Sequence, residues 1–149
     1  LYEEEVYLKQ FQELDPQDAE DIEKVIKGSG QTIRKRPYAD TWVKYLKSKG
    51  YHVYILSNYS SYMLDHTKKE LTFRREMDGE VFSCYANQLK PDAEIYQTIL
   101  NKYQLKPEEC VFIDDRPENC RGAQEQGIHT ICFKDFKQVT ADLEKLGVK

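Results

Sequence analysis

Short apolar runs alternating with helix-period segments constrain this chain more than any other feature of it. Val53–Leu56, Gly79–Ala86, Cys110–Ile113 and Ile128–Phe133 read as strands, the second the weakest of the set. Between and beyond them, apolar residues recur every three to four positions. Helices are predicted over Tyr38–Lys49 with Trp42, Tyr45 and Leu46 inward, over Ser60–Leu71, and over Asp92–Tyr103 with Ile95, Ile99 and Leu100 on one face. Two more run from near Pro117 to a stop at Gly127, and through Val139, Leu143 and Leu146. Strands joined by helices of that length imply a parallel sheet covered on both faces, an α/β fold. Ahead of this alternation lies a block of two helices. The first covers Leu1–Leu14; the second takes Asp15-Pro16 as N-cap and first-turn proline and continues through Ala19, Ile22, Val25 and Ile26 to Gly28-Ser29-Gly30.

Composition narrows the function classes. The 149 residues suffice for one domain with a core, and a formal net charge of −4 argues against nucleic acid, whose phosphates require a positive field. Arg34-Lys35-Arg36 is too short a basic run to reverse that. No apolar run approaches the roughly 18 residues that span a bilayer, and the opening LYEEEVYLKQ is unlike a signal peptide, so a soluble cytoplasmic protein without a membrane partner is expected. Cys84, Cys110, Cys120 and Cys132 show no C-x-x-C spacing and no zinc-site relation to His52, His66 or His129. Free thiols are expected, with Cys110 and Cys132 as small core residues.

Ligands of such sheets bind beyond the carboxyl ends of the strands. Those ends carry Ser57-Asn58, Lys90-Pro91 and the adjacent acids Asp114-Asp115. A hydroxyl and a backbone N–H at a strand-to-helix turn hold phosphate oxygens, an ammonium neutralises them, and paired carboxylates hold a hard dication. Singly, each has a plainer reading: Ser57 as a helix cap, Lys90 as a solvated lysine, Asp114 and Asp115 as cap and dipole partner of the next helix. Adjacent carboxylates repel unless something positive compensates them. The order of the three pairs along one alternating chain favours phosphoryl transfer.

The segments YILSNYSSYMLD, NQLKPDAEIYQTIL and ECVFIDDRPENCRGAQEQGI closely resemble motifs II, III and IV of the haloacid dehalogenase (HAD) superfamily. The subfamily resembled has an N-terminal helical cap and includes glucose-1-phosphate phosphatase-like and epoxide hydrolase N-domain-like members. The resemblance implies a HAD-like Rossmannoid three-layer sandwich, with residues 33–149 an incomplete α/β core and residues 1–32 a partial helical cap. It further implies a Mg2+-dependent hydrolase acting on small phosphomonoesters such as sugar phosphates. Ser57 and Asn58 would then bind phosphate, with Lys90 neutralising both phosphate and nucleophile. Asp115 aligns with the usual Mg2+ ligand and Asp114 with its auxiliary. Asn119 stands where a second acid is common, a weaker metal contributor acting through water or hydrogen bonds. Dehalogenation suits Lys90 and the doubled acid less well.

The family's reaction starts from an aspartate nucleophile in a D-x-D motif on a central first strand. No D-x-D occurs in these residues, and Asp15, Asp18 and Asp21 lie in a helical, charge-rich stretch. The first central strand is therefore expected to be absent, leaving Val53–Leu56 and Val111–Ile113 to flank a gap or to pair directly. On this expectation the chain is the C-terminal part of a longer protein and is inactive alone. Beside it stand donation of the strand by another chain, self-association through the incomplete sheet, and a non-catalytic HAD-like protein that binds phosphate or metal only. An interaction module using the sheet edges and the tyrosine-rich first helix belongs to a different class. A receiver-like signalling domain fits less well, because its acidic pair ends the first strand.

Overall fold

The computed structural model describes residues 4–148. Helices α1 (Glu4–Leu14) and α2 (Ala19–Gly28) pack on each other and precede α3 (Ala39–Ser48), strand β1 (Tyr54–Ser57) and the short α4 (Ser61–His66). Strand β2 (Gly79–Phe82) runs directly into the one-turn α5 (Ser83–Ala86), followed by α6 (Ala93–Tyr103) and β3 (Val111–Asp114). Then come α7 (Pro117–Glu125), β4 (His129–Cys132) and α8 (Phe136–Lys145).

The strands form two separate parallel pairs. β1 lies beside β2 with Leu56 opposite Val81, and β3 beside β4 with Asp114 opposite Cys132. Among the described residues β1 and β3 do not pair, so of the two expected outcomes the gap is the one observed.

What joins the half-sheets is the core beneath them. Ile95, Tyr96, Ile99 and Leu100 form one face of α6 and pack with Val81, Leu56 and Phe112, drawn from both half-sheets, and with Ala123 of α7. The opposite face of β3 points the other way, as the period of a strand requires: Val111 and Ile113 pack with Ile131, Val139, Leu143 and Trp42. Helices α6 and α7 thus cover one face, α3 and α8 the other, in three layers. Each fully buried aliphatic side chain contributes on the order of 1.5–3 kcal/mol, so α6 alone is a substantial tie.

Several local expectations need correction. Asp15-Pro16 ends α1 instead of opening α2: Asp15 N–H still donates to Phe11 O, and α2 begins three residues after Pro16. The helix expected to reach Leu71 stops at His66, where the Thr67 hydroxyl donates back to Met63 O at 2.6 Å and pairs with the Tyr59 hydroxyl at 2.8 Å. Tyr45 is half exposed while Val43 is the buried residue of α3, because Tyr45 lines an open groove of about 660 Å³ between α3 and α8. All four cysteines are free, but the buried one is Cys120; Cys110 and Cys132 are half-buried.

Candidate functional site

The site is organised around Lys90, in the turn between α5 and α6. Asn58, just past the end of β1, clasps the backbone of Lys90 from both sides: its Oδ1 accepts from Lys90 N–H at 2.8 Å and its Nδ2 donates to Lys90 O at 2.9 Å. That clasp aims the ammonium across the gap between the half-sheets. Lys90 Nζ donates to Leu56 O of β1 at 2.9 Å and to Asp114 Oδ2 of β3 at 2.6 Å, and lies 5.2 Å from the centroid of the Phe112 ring. The two side chains are only 7% and 8% exposed, so solvent screens this ion pair little.

Asp114 is held on its other oxygen as well. Oδ1 accepts from Arg116 N–H and from Asn119 Nδ2, both at 2.9 Å. Burial works against the carboxylate charge, but the bonds from Lys90, Arg116 N–H and Asn119 outweigh it and hold the carboxyl below its ordinary value. Asn119 is 3% exposed, and its carbonyl accepts from the hydroxyl of the fully buried Tyr96 at 2.8 Å. Burial, helped by the nearby Asp114 charge, pushes that phenol above its ordinary range.

Ser57 and Asp115 differ from this network. Ser57 closes β1 half-buried, and among the described residues its hydroxyl has no hydrogen-bond partner; the cap of α4 is Ser60, which accepts from Met63 N–H at 3.1 Å. The capping reading of Ser57 therefore fails. The Tyr59 N–H close by is already taken by the Ser83 hydroxyl at 2.9 Å. Asp115 is exposed, and among the described residues its carboxylate makes no hydrogen bond or ion pair. The two adjacent acids are thus unlike: one is buried and fully engaged, the other is free.

Of the residues singled out from sequence, Asn58, Lys90, Asp114 and Asn119 form one connected network, with Ser57 and Asp115 next to it in the chain. Asn119 is spent on Asp114, which makes it a support for that carboxylate. The Leu56 carbonyl, Ser83 and Tyr96 were not anticipated. Tyr96 sits among the apolar residues of α6 and reads as core; nothing in its spacing announces the hydroxyl contact.

The family model for haloacid dehalogenase-like hydrolases matches residues 2–127. The chain belongs to this hydrolase family. It is 39% identical over 66 residues to flavin mononucleotide hydrolase 1 of Arabidopsis thaliana, covering 44% of this chain and 27% of that protein. It is 30% identical over 107 residues to bifunctional epoxide hydrolase 2 of Rattus norvegicus, covering 68% of this chain and 19% of that protein. A HAD family enzyme from Bacteroides thetaiotaomicron, solved with magnesium and inorganic phosphate, superposes with a TM-score of 0.62 at 26% identity, covering 70% of this chain and 57% of that one. The matched part of this HAD-family chain thus spans 27% and 19% of the two named relatives, and its α/β architecture is that of the family.

Proposed function

We propose that this HAD-family chain carries the phosphate-facing and metal-facing part of a Mg2+-dependent phosphohydrolase site for small phosphomonoesters such as sugar phosphates. The observation that supports this most is the division of the acid pair: Asp114 is locked to a buried lysine while Asp115, one residue on, is left free. An ammonium has three N–H donors and Lys90 commits two, to Leu56 O and Asp114, so one remains for an anion. Ser57, with an uncommitted hydroxyl, and Asn58 at the end of β1 supply further polar contacts to phosphate oxygens.

The donor chemistry fits magnesium in part. Mg2+ keeps several waters and is held by one or two carboxylates together with substrate phosphate oxygens, and Asp115 offers one such carboxylate. Among the described residues no group of three or more His, Cys, Asp or Glu side chains gathers as a complete site. When bound, the ion neutralises charge on the phosphoryl group. Asp114 and Asn119 orient the turn that carries Asp115, and Lys90 compensates the phosphate. Because no D-x-D pair occurs in the sequence, the reading includes no covalent step, and the 149-residue chain by itself is inactive toward phosphomonoesters.

The α1–α2 pair, within residues 1–32, is read as part of a selectivity cap over the core of residues 33–149. Tyr62 OH donates to Lys27 O of α2 at 3.0 Å, which seats it on α4. Four free thiols suit a cytoplasmic setting, and no helix among the described residues is long and apolar enough to cross a membrane.

The test uses the purified chain. No Mg2+-dependent turnover of p-nitrophenyl phosphate is expected, together with weak Mg2+ binding by NMR titration that disappears in Asp115→Asn. Turnover overturns the inactivity; an unaltered metal response in Asp115→Asn removes that residue from the metal site. The unpaired edges of β1 and β3 favour a second reading, a non-catalytic interaction protein. Tight self-association with no response to metal would select it.

A further inference from the structure

Helix α7 passes behind the site, and at Gly122 it touches the turn that carries Lys90. A Cβ built there would lie 2.4 Å from Pro91 O, 3.1 Å from Pro91 Cβ and 3.1 Å from Cε2 of Tyr96. The closest obstacle is backbone, which no rotamer change removes. Glycine is a poor helix former, and Gly122 lies inside α7 without a left-handed φ, so its use answers to space and not to conformation.

We propose that Gly122 is a positioning residue for Lys90. Its missing side chain lets the Pro91 carbonyl seat against α7, and that seat, opposed by the clasp of Asn58 on the Lys90 backbone, fixes the ammonium between Leu56 O and Asp114. Asn119, one helical turn earlier on the same side of α7, holds Asp114. One face of a single helix therefore sets both members of the ion pair. Tyr96 lies between them, its ring against Gly122 and its hydroxyl on Asn119 O. The proposal rests on the reading of Lys90 as the phosphate-facing cation.

A methyl group at 122 needs about 3.4 Å to Pro91 O where 2.4 Å is present, so the turn must withdraw by roughly 1 Å. A Lys90–Asp114 contact of 2.6 Å does not survive that displacement as a hydrogen bond. The ammonium is released to solvent.

The experiment is reductive methylation of the full chain, resolved lysine by lysine by mass spectrometry. In the unaltered protein Lys90 reacts slowly, while Lys35 and Lys47, with side chains 29% and 35% exposed, react faster. Gly122→Ala is expected to raise the Lys90 rate by about tenfold with Lys35 and Lys47 unchanged, because the opening is local. Asn58→Ala, which removes the clasp that opposes this seat, is the second variant should Gly122→Ala not fold, and the same selective rise in the Lys90 rate is expected. An unchanged Lys90 rate in the folded variants, or a rise shared equally by Lys35 and Lys47, overturns the proposal. Inorganic phosphate binding, followed by 31P NMR, separates the two ideas. Selective release of Lys90 with phosphate affinity unmoved upholds Gly122 as its positioner and removes Lys90 from the phosphate site.

Discussion

Replacing Lys90 by methionine leaves the Asp114 carboxylate in a nearly closed site without its counter-charge. Removing one partner of a buried ion pair costs about 3–5 kcal/mol. Two features reduce that figure here, and the Leu56 carbonyl left without its donor offsets part of the reduction. Asp114 keeps its bonds from Arg116 N–H and Asn119 Nδ2, and the methionine sulfur would lie near the Phe112 ring, a contact worth about 0.3–1.5 kcal/mol. A net loss of about 2–3 kcal/mol at pH 7 is expected, a large part of a domain's usual margin. Urea unfolding followed by the fluorescence of Trp42, the single tryptophan, reads it, since that ring packs edge-on to Phe136 at 5.2 Å. The pH dependence has a definite sign. The folded-state value of Asp114 is depressed below 3.8, so its stabilisation is present above the unfolded value and is lost as pH falls through the folded one. Lys90→Met removes a principal cause of the depression, so the two proteins differ most at neutral pH and converge as pH falls through the depressed folded value of Asp114. Lys90→Met combined with Asp114→Asn removes both charges and should cost less than Lys90→Met alone. A loss below about 0.5 kcal/mol at pH 7, or an equal loss at pH 3 and pH 7, would refute the pair as described.

Tyr96→Phe deletes the buried hydroxyl that supports Asn119 and should cost about 1 kcal/mol, seen as a fall of about 2–4 °C in Tm; an unchanged Tm contradicts the contact. Asp115→Asn, exposed and without bonds among the described residues, should leave urea stability within about 0.5 kcal/mol while removing the metal response, which separates a ligand from a structural acid. Burial, with the neighbouring Cys132 thiol, pushes Cys120 up to about 11, so at pH 8 only about one molecule in a thousand carries its thiolate. Iodoacetamide should therefore label Cys120 last of the four cysteines, and labelling of Cys120 as fast as Cys132 would contradict that.

The fold was legible where burial imposes a period. Ile95, Ile99 and Leu100 announce α6, Gly127 with φ +80 ends the α7 segment, and Val111–Ile113 can only be a strand covered on both faces. It was less legible where local polar chemistry competes with that period. Thr67 stops α4 five residues before the periodic pattern fades at Thr72, because a hydroxyl that bonds to Met63 O offers the chain an exit from the helix. The site residues were legible as a set, through their order at the strand ends. Their division of labour was not, because spacing does not tell which of two adjacent carboxylates is buried. Asp114 is the last residue of β3 and is turned to Lys90, whereas Asp115 lies beyond the strand in solvent.

The gap between β1 and β3 and the buried charge pair are one physical problem. A carbonyl on an unpaired strand edge that is shut away from water must find a donor, and at Leu56 the donor is the Lys90 ammonium. Once a cation is there it needs an anion, and Asp114 at the end of the facing strand supplies it. Lys90 and Asp114 are therefore demanded by the fold as it stands, whether or not a phosphate ever enters. The same is not true of the Ser57 hydroxyl and the Asp115 carboxylate, which have no hydrogen-bond or ion-pair partner among the described residues. They are the groups that the proposed phosphate and Mg2+ would engage, together with the remaining Lys90 donor. The functional reading consequently stands on Asp115 and Ser57 more than on the lysine, and Asp115→Asn is the variant on which it turns.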